Sequence, residues 1–179
     1  LLALSNKVLT LAKLEQHKLE MNKKEVPLSP MIEDLIEKFT IKTEKTIHFT
    51  TDLKTEKVYA DEEFLKEAIS NLIDNAIKYS KESVKINISS SSDANHDIIN
   101  IYDNGIGIPQ KDQKKIFEKF ERASAIKQTR KGGPSGFGLG LNYVYQVMEA
   151  HEGRVYINSI EGEFSEFSLL IPKIIESYD

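Results

Sequence analysis

Between residues 61 and 80 the chain carries apolar side chains around most of a helical circumference. Phe64, Leu65, Ala68, Ile69, Leu72, Ile73, Ala76 and Ile77 leave only a narrow arc for polar groups. A helix this apolar has to be covered on most sides by the rest of the chain. Asp61 stands where an N-cap would start it. The polar arc holds Glu67, Asn71, Asn75 and Lys78. At about 100° per residue, Asn75 lies about 40° from Asn71 and Lys78 about 20° to its other side, so they form one ridge. A buried amide without a partner costs about 1–3 kcal/mol. The ridge therefore faces either solvent or a ligand, and the helix alone leaves both open.

What covers this helix follows from the periodicity around it. Alternating runs predict strands over residues 46–53, 57–60, 84–90, 97–102, 154–159 and 166–172. Helical spacing predicts helices from Ser29 to about residue 43, over 111–117 and over 137–151, the last stopped by Gly153. Ser29, between Pro27 and Pro30, is the expected N-cap. Residues 89–95, four serines followed by Asp93-Ala94-Asn95, predict a turn between two strands. Strands and helices interleave, with hairpins among them. That order implies an α/β (α+β) two-layer sandwich, a mixed and mostly antiparallel sheet against about three helices, and not a doubly wound parallel sheet.

Leu1, Leu4, Val8 and Leu11 follow heptad spacing, and Leu14 continues it with a shift. This seam predicts a helix that packs on a partner helix in preference to its own domain. The polar run 15–25 ends it. The chain begins with Leu1, inside this helical pattern, so it reads as a piece of a longer protein. Its net charge of -4 argues against broad nucleic-acid affinity. It has no cysteine, which removes disulfides and thiolate metal sites and fits a reducing compartment. No apolar run approaches the roughly 18–20 residues needed to span a bilayer.

Two glycine-rich segments give the ridge possible partners. "YDNGIGIP" leads from a strand through Asp103-Asn104-Gly105 towards a helix. Asp103 at the lip of this corner is a lone acceptor suited to an exocyclic amine. "GGPSGFGLGLNYVYQV" alternates Gly136, Gly138 and Gly140 as the next helix opens. Such spacing frees backbone N–H groups to face an anion at a helix N-terminus. It is not a P-loop, and Leu141 replaces the third glycine of a dinucleotide fingerprint. Between the two segments lie Lys119, Arg122, Lys127, Arg130 and Lys131.

At these residues the chain resembles sensor histidine kinases, within the wider gyrase, heat-shock-protein-90, histidine kinase and MutL superfamily. "NLIDNAIKYS" is similar to the N box, "DNGIGIP" to the G1 box, "IFEKFER" to the F box and "GFGLGL" to the G2 box, in the family's order. The match covers residues 29–172. "LSNKVLTLAKLEQHKLEM" resembles the second helix of the dimerisation hairpin. The resemblance implies a Bergerat-type ATP-binding domain at 27–179, preceded by a partial dimerisation helix and linker at 1–26.

The resemblance also implies roles. Asn75 would ligate Mg²⁺, with Asn71 at the metal or its waters, and Lys78 and Tyr79 would contact phosphate. Asp103 would accept from the adenine 6-amino group, with Gly105 and Gly107 shaping that end. Phe117 and Phe120 would anchor the base of a lid. Lys119, Arg122, Lys127, Arg130 or Lys131 would reach the phosphates from it. Gly136, Gly138 and Gly140, with Leu139 and Leu141 between them, would let the lid fold over the triphosphate. Hydrolysing relatives carry a glutamate at the position of Asn71, and an amide there cannot act as a base. That favours phosphoryl transfer to a protein side chain over hydrolysis.

The phosphoacceptor histidine has no credible candidate here. His17 reads as a solvated helix end, His48 as a strand residue, His96 as a hairpin-turn residue, and His151 as a favourable cation at a helix C-terminus. The implied partners are a dimerisation domain bearing the acceptor histidine, a response-regulator receiver domain and a second kinase chain, in the cytoplasm. Two alternatives stand beside this: an ATP-hydrolysing relative, and a non-catalytic nucleotide-binding interaction module.

Overall fold

The computed structural model describes residues 1–118 and 138–174. The elements run α1 (Leu2–Glu15), β1 (Lys23–Pro27), α2 (Leu28–Lys42), β2 (Ile47–Leu53), β3 (Lys57–Asp61) and α3 (Glu62–Lys78). They continue with β4 (Val84–Ser92), β5 (His96–Asp103), the short α4 (Gln110–Gln113), α5 (Gly140–Ala150), β6 (Arg154–Ile160) and β7 (Phe164–Pro172). Among the described residues the main sheet has the order β2-β4-β5-β7-β6. Only β2 and β4 pair in parallel; the other neighbours are antiparallel. The expected mixed two-layer sandwich is what forms.

Each inner strand of the sheet alternates, as a sheet with one covered face should. On β5 the buried set is Asp97, Ile99, Ile101 and Asp103, and on β4 it is Val84, Ile86, Ile88 and Ser90. Helix α2 lies against β2, α3 against β4 and β5, and α5 against β6 and β7. Leu65, Ile69, Leu72 and Ile73 of α3 are almost completely enclosed between the sheet and these neighbours. The open face of the sheet is bridged by polar side chains, with Ser168 Oγ donating to Asn100 Oδ1 at 2.7 Å. Tyr102 and Phe164 stack on that face, ring centroids 5.6 Å apart.

Several boundaries differ from the sequence expectation. The end of the polar run 15–25 and the two residues after it, 23–27, form β1, which pairs antiparallel with β3 through Val26 opposite Val58. Both valines are buried, so tertiary pairing overrides a composition that is polar apart from them. Helix α2 starts one residue before the expected cap. Pro27 is the capping residue, the Leu28 N–H donates to Glu56 O at 2.9 Å, and Ser29 lies inside the helix with its hydroxyl on Glu33. The serines through Ser92 belong to β4, and the turn tightens on Asp93, whose Oδ1 accepts from the N–H groups of Asn95 and His96.

Helix α4 is shorter than the predicted 111–117, and the chain continues in turns to residue 117. Gln113 Nε2 donates to the carbonyls of Ile108 and Ser159, anchoring the segment to β6. The carbonyl of Phe117 is taken by Asn142 Nδ2 at 2.8 Å. At the end of α5 the left-handed residue is Glu152 (φ 58), and Gly153 follows it. Gly153 is instead required by contact, because a Cβ there would collide with the carbonyl oxygen of Leu170.

Helix α1 divides its apolar residues between two surroundings. Leu11 and Leu14 are buried in this chain's own core, where α1 packs on α5, and Leu4 packs against them. Leu1, Leu2, Val8 and Leu9 are exposed. The seam predicted for a partner helix thus lies partly against the chain's own domain. His17 adopts the left-handed conformation (φ 51) that ends α1.

Candidate functional site

The polar arc of α3 lies at an open edge of the helix layer, flanked by the turn after β5 and the start of α5. Asp61 accepts from the Phe64 N–H at 3.2 Å and caps α3 as expected. At the other end Lys45 Nζ donates to the carbonyl of Ile77 at 2.9 Å, placing a cation on the terminal carbonyls. So fixed, the ridge presents Asn71, buried, then Asn75 and Lys78, half-buried. Lys78 Nζ pairs with Asp74 at 2.6 Å. Tyr79 follows as the helix cap, half-buried, with its N–H on Asn75 O.

Asp103 owes its position to the strand period. It is the last inward residue of β5, so its carboxylate turns towards the helix layer and not towards open solvent. Its Oδ1 accepts the Gly105 N–H at 2.8 Å. Burial pushes the carboxyl up to about 6, with that hydrogen bond opposing. The following loop is clamped to the end of α3, since Ile106 N–H donates to Tyr79 O at 3.0 Å. Two glycines make this possible. A Cβ at Gly105 would stand 2.5 Å from Asp103 Oδ1 and 2.8 Å from Tyr79 O. Gly107 has φ 66 and would drive a Cβ into the carbonyl of Ile160.

At the opposite end, α5 opens at Gly140 with no side-chain cap on its first turn. The first-turn N–H groups of a helix suit an anion. Leu139 is buried, while Gly138 (φ 70), Gly140 and Leu141 are half-buried. A Cβ at Gly140 would sit 3.3 Å from Asn71 Oδ1, so glycine keeps the head of the ridge clear. The structure thus brings Asn71, Asn75, Lys78, Tyr79, Asp103, Gly105 and Gly107 to one side of the helix layer, with Gly140, in the segment 138–141, next to Asn71. Lys119, Phe120, Arg122, Lys127, Arg130, Lys131 and Gly136 lie outside the described residues. Phe117 is half-buried and packs edge-on to Phe167 at 6.3 Å.

Sequence reasoning passed over Lys7. Its Nζ donates to Asn71 Oδ1 at 2.7 Å and lies 5.5 Å from the centroid of the Tyr143 ring. Burial lowers the Lys7 ammonium, and the carboxylates of Glu67 and Asp74 hold it up. Asn71 Nδ2 donates to Glu67 O at 2.8 Å, which sets the amide's orientation. The signal was present: Lys7 falls on the stripe of Leu4, Leu11 and Leu14 that faces the domain. His151 also differs from expectation. It is buried, Nδ1 donates to Val147 O at 2.7 Å and Nε2 accepts from the Asp61 N–H at 2.9 Å. Burial holds it below its ordinary value, so it is a neutral structural link and not a cation at a helix end.

Residues 60–175 match the family described as Histidine kinase-, DNA gyrase B-, and HSP90-like ATPase. The adaptive-response sensory kinase SasA of Crocosphaera subtropica is 32% identical over 169 residues, 92% of this chain and 43% of that protein. Sensor histidine kinase WalK of Bacillus subtilis is 30% identical over 183 residues, 100% of this chain and 30% of its own length. The chain therefore spans less than half of these relatives. Among solved structures, the histidine kinase AdeS of Acinetobacter baumannii aligns with a TM-score of 0.78 at 26% identity, over 95% of this chain and 77% of that one. The catalytic domain of histidine kinase ThkA aligns with a TM-score of 0.70 at 27% identity, over 86% and 99%. The polar ridge of α3, the loop after Asp103, the glycine-opened start of α5, a mixed sheet backing three helices, and these likenesses agree: the chain belongs to the histidine kinase-, DNA gyrase B- and HSP90-like ATPases, with the catalytic domain of sensor histidine kinases as its structural counterpart.

Proposed function

We propose that this chain binds Mg-ATP as the catalytic domain of a two-component sensor histidine kinase. It donates the γ-phosphoryl group to a histidine on a dimerisation domain, for relay to a response-regulator aspartate. Residues 1–26 belong to that dimerisation domain and 27–179 to the catalytic domain, and the parent kinase acts as a homodimer in the cytoplasm. The observation that carries this reading is the pairing of a buried acceptor, Asp103, with an amide, Asn71, on one side of the helix layer. Asp103 takes the adenine 6-amino group, which donates where guanine would present an acceptor.

The fit of a divalent cation is supported by the ammonium of Lys7 already resting on Asn71 Oδ1 at 2.7 Å. An uncharged amide oxygen near the carboxylates of Glu67 and Asp74 suits a hard cation that keeps its waters. Asn75 and Asn71 would hold Mg²⁺, which would neutralise charge on the β- and γ-phosphates. Lys78, Tyr79 and the open first turn of α5 orient the phosphates, with Gly138, Leu139, Gly140 and Leu141 leaving room for them. Lys119, Phe120, Arg122 and Gly136 complete the lid of this reading.

No candidate base stands at position 71, which supports transfer over hydrolysis. A complete dimerisation hairpin added to this chain with labelled ATP yields acid-labile, base-stable phosphate on the hairpin; its absence from a folded, nucleotide-bound mixture contradicts the proposal. One observation favours the hydrolytic alternative: Glu67 Oε1 lies 3.5 Å from Asn71 Nδ2. Steady ATP turnover by this chain that Glu67→Gln abolishes would establish that alternative.

A further inference from the structure

The cation at the head of the ridge comes from another element. Helix α1 delivers Lys7 to Asn71 Oδ1 at 2.7 Å, across the face of Tyr143. The same side of α1 is held down by Leu11 and Leu14, both almost fully buried. Asn71 has no alternative acceptor to offer, because its Nδ2 is committed to the Glu67 carbonyl and so fixes which atom points at the lysine. Gly140 lies on another side of the same oxygen, where a side chain's Cβ would come within 3.3 Å of it. An ammonium and a hydrated divalent cation cannot both use this small space, since each repels the other and each needs the same lone pairs.

We propose that Lys7 is a tethered cation that keeps the metal–nucleotide off Asn71 while α1 is docked, so that the position of α1 sets nucleotide affinity. This rests on the ridge being the Mg-ATP site. Docked α1 reduces the fraction of chains competent to bind, and apparent affinity falls by that fraction. The coupling is reciprocal: bound nucleotide must loosen α1 by the same factor. A helix that bears on one side an exposed row, Leu1, Leu2, Val8 and Leu9, and on the other side this lysine is able to report to the site whatever engages the exposed row.

The test uses the whole 179-residue chain. Calorimetry with Mg²⁺ and a non-hydrolysable ATP analogue compares wild type, Lys7→Met and Lys7→Arg, and amide exchange follows residues 2–15 in wild type with and without nucleotide. Lys7→Met keeps the apolar stem and removes the charge, so it binds roughly three- to tenfold tighter. Lys7→Arg keeps the charge and stays within about twofold of wild type. Exchange in α1 speeds up on binding. Equal or weaker affinity in Lys7→Met overturns the tethered cation and leaves the ATP site standing. Failure of wild type and both folded variants to bind nucleotide overturns the ATP site as well.

Discussion

The backbone N–H of Asp61 donates to Nε2 of His151 at 2.9 Å, tying the start of α3 to the end of α5. The imidazole thus adds a polar link between two helices that border the site and also pack on each other. Since Nδ1 donates to Val147 O, the ring must be the neutral tautomer with its proton on Nδ1. A proton on Nε2 would set one N–H against another. Burial keeps the folded value below the ordinary 6.5. The sign follows: this contribution is complete above about pH 6.5 and is lost as pH falls below that, because the unfolded chain takes the proton first. His151→Phe should lose about 1–3 kcal/mol at pH 7.5. In urea titrations its deficit relative to wild type should shrink at pH 5.5, and an equal deficit at both values would refute the link.

Asp103 titrates with the opposite consequence for the empty fold. Its folded value of about 6 exceeds the ordinary 3.8. Ionisation is therefore a burden on the ligand-free fold above about pH 6, of about 3 kcal/mol at most. With Oδ1 taken by the Gly105 N–H, protonation puts an O–H on the remaining oxygen, which then opposes an amine donor. Nucleotide affinity should then be flat from pH 7 to 8 and fall about tenfold for each unit below about 6. Titrations at pH 7.5 and 5.0 check this, and pH-independent affinity would exclude Asp103 as the acceptor.

Adenine selectivity follows from the same carboxylate. A buried acceptor facing the O6 of guanine leaves two acceptors opposed, so GTP should bind at least about a hundredfold more weakly than ATP. Competition between the two against a fluorescent ATP analogue measures the ratio, and parity would remove Asp103 from base recognition.

Gly107 and Gly162 both have positive φ, at 66 and 84, and separate strain from collision. Gly162 has nothing within 4 Å of its virtual Cβ. Gly162→Ala should lose only about 1 kcal/mol. Gly107→Ala adds a clash with the backbone of Ile160 and should lose about 3 kcal/mol or more, or displace the loop that follows Asp103. Equal losses in thermal unfolding would mean that the Gly107 loop is not held against β6.

The ridge and the sheet were legible because they depend on period alone. Asn71, Asn75 and Lys78 share a face at helical spacing whatever surrounds them, and Asp103 turns inward because it is two residues beyond Ile101. What escaped depended on contacts distant in sequence. Lys23–Pro27 becomes a strand only through β3, 30 residues away at the Pro27–Lys57 pair and 38 at Lys23–Asp61. Pro27 replaces Ser29 as the cap because Glu56 supplies the acceptor that the Leu28 N–H needs. His151 was assigned a charge from its place on α5, and burial beside Asp61 removed it. Lys7 shares the helical stripe of Leu4, Leu11 and Leu14, but only Asn71 and Tyr143, distant in sequence, give its ammonium a partner.

The most direct measurement of the central claim is made on Asp103→Asn at pH 7.5, with Mg-ATP added in a thermal-unfolding titration. The amide still accepts the Gly105 N–H through its oxygen and is relieved of the buried charge. The ligand-free variant should therefore unfold at or above the wild-type temperature, while the rise that Mg-ATP gives wild type is largely lost. An Mg-ATP-induced rise equal in both proteins would contradict the assignment of this domain as an adenine-nucleotide site built on Asp103.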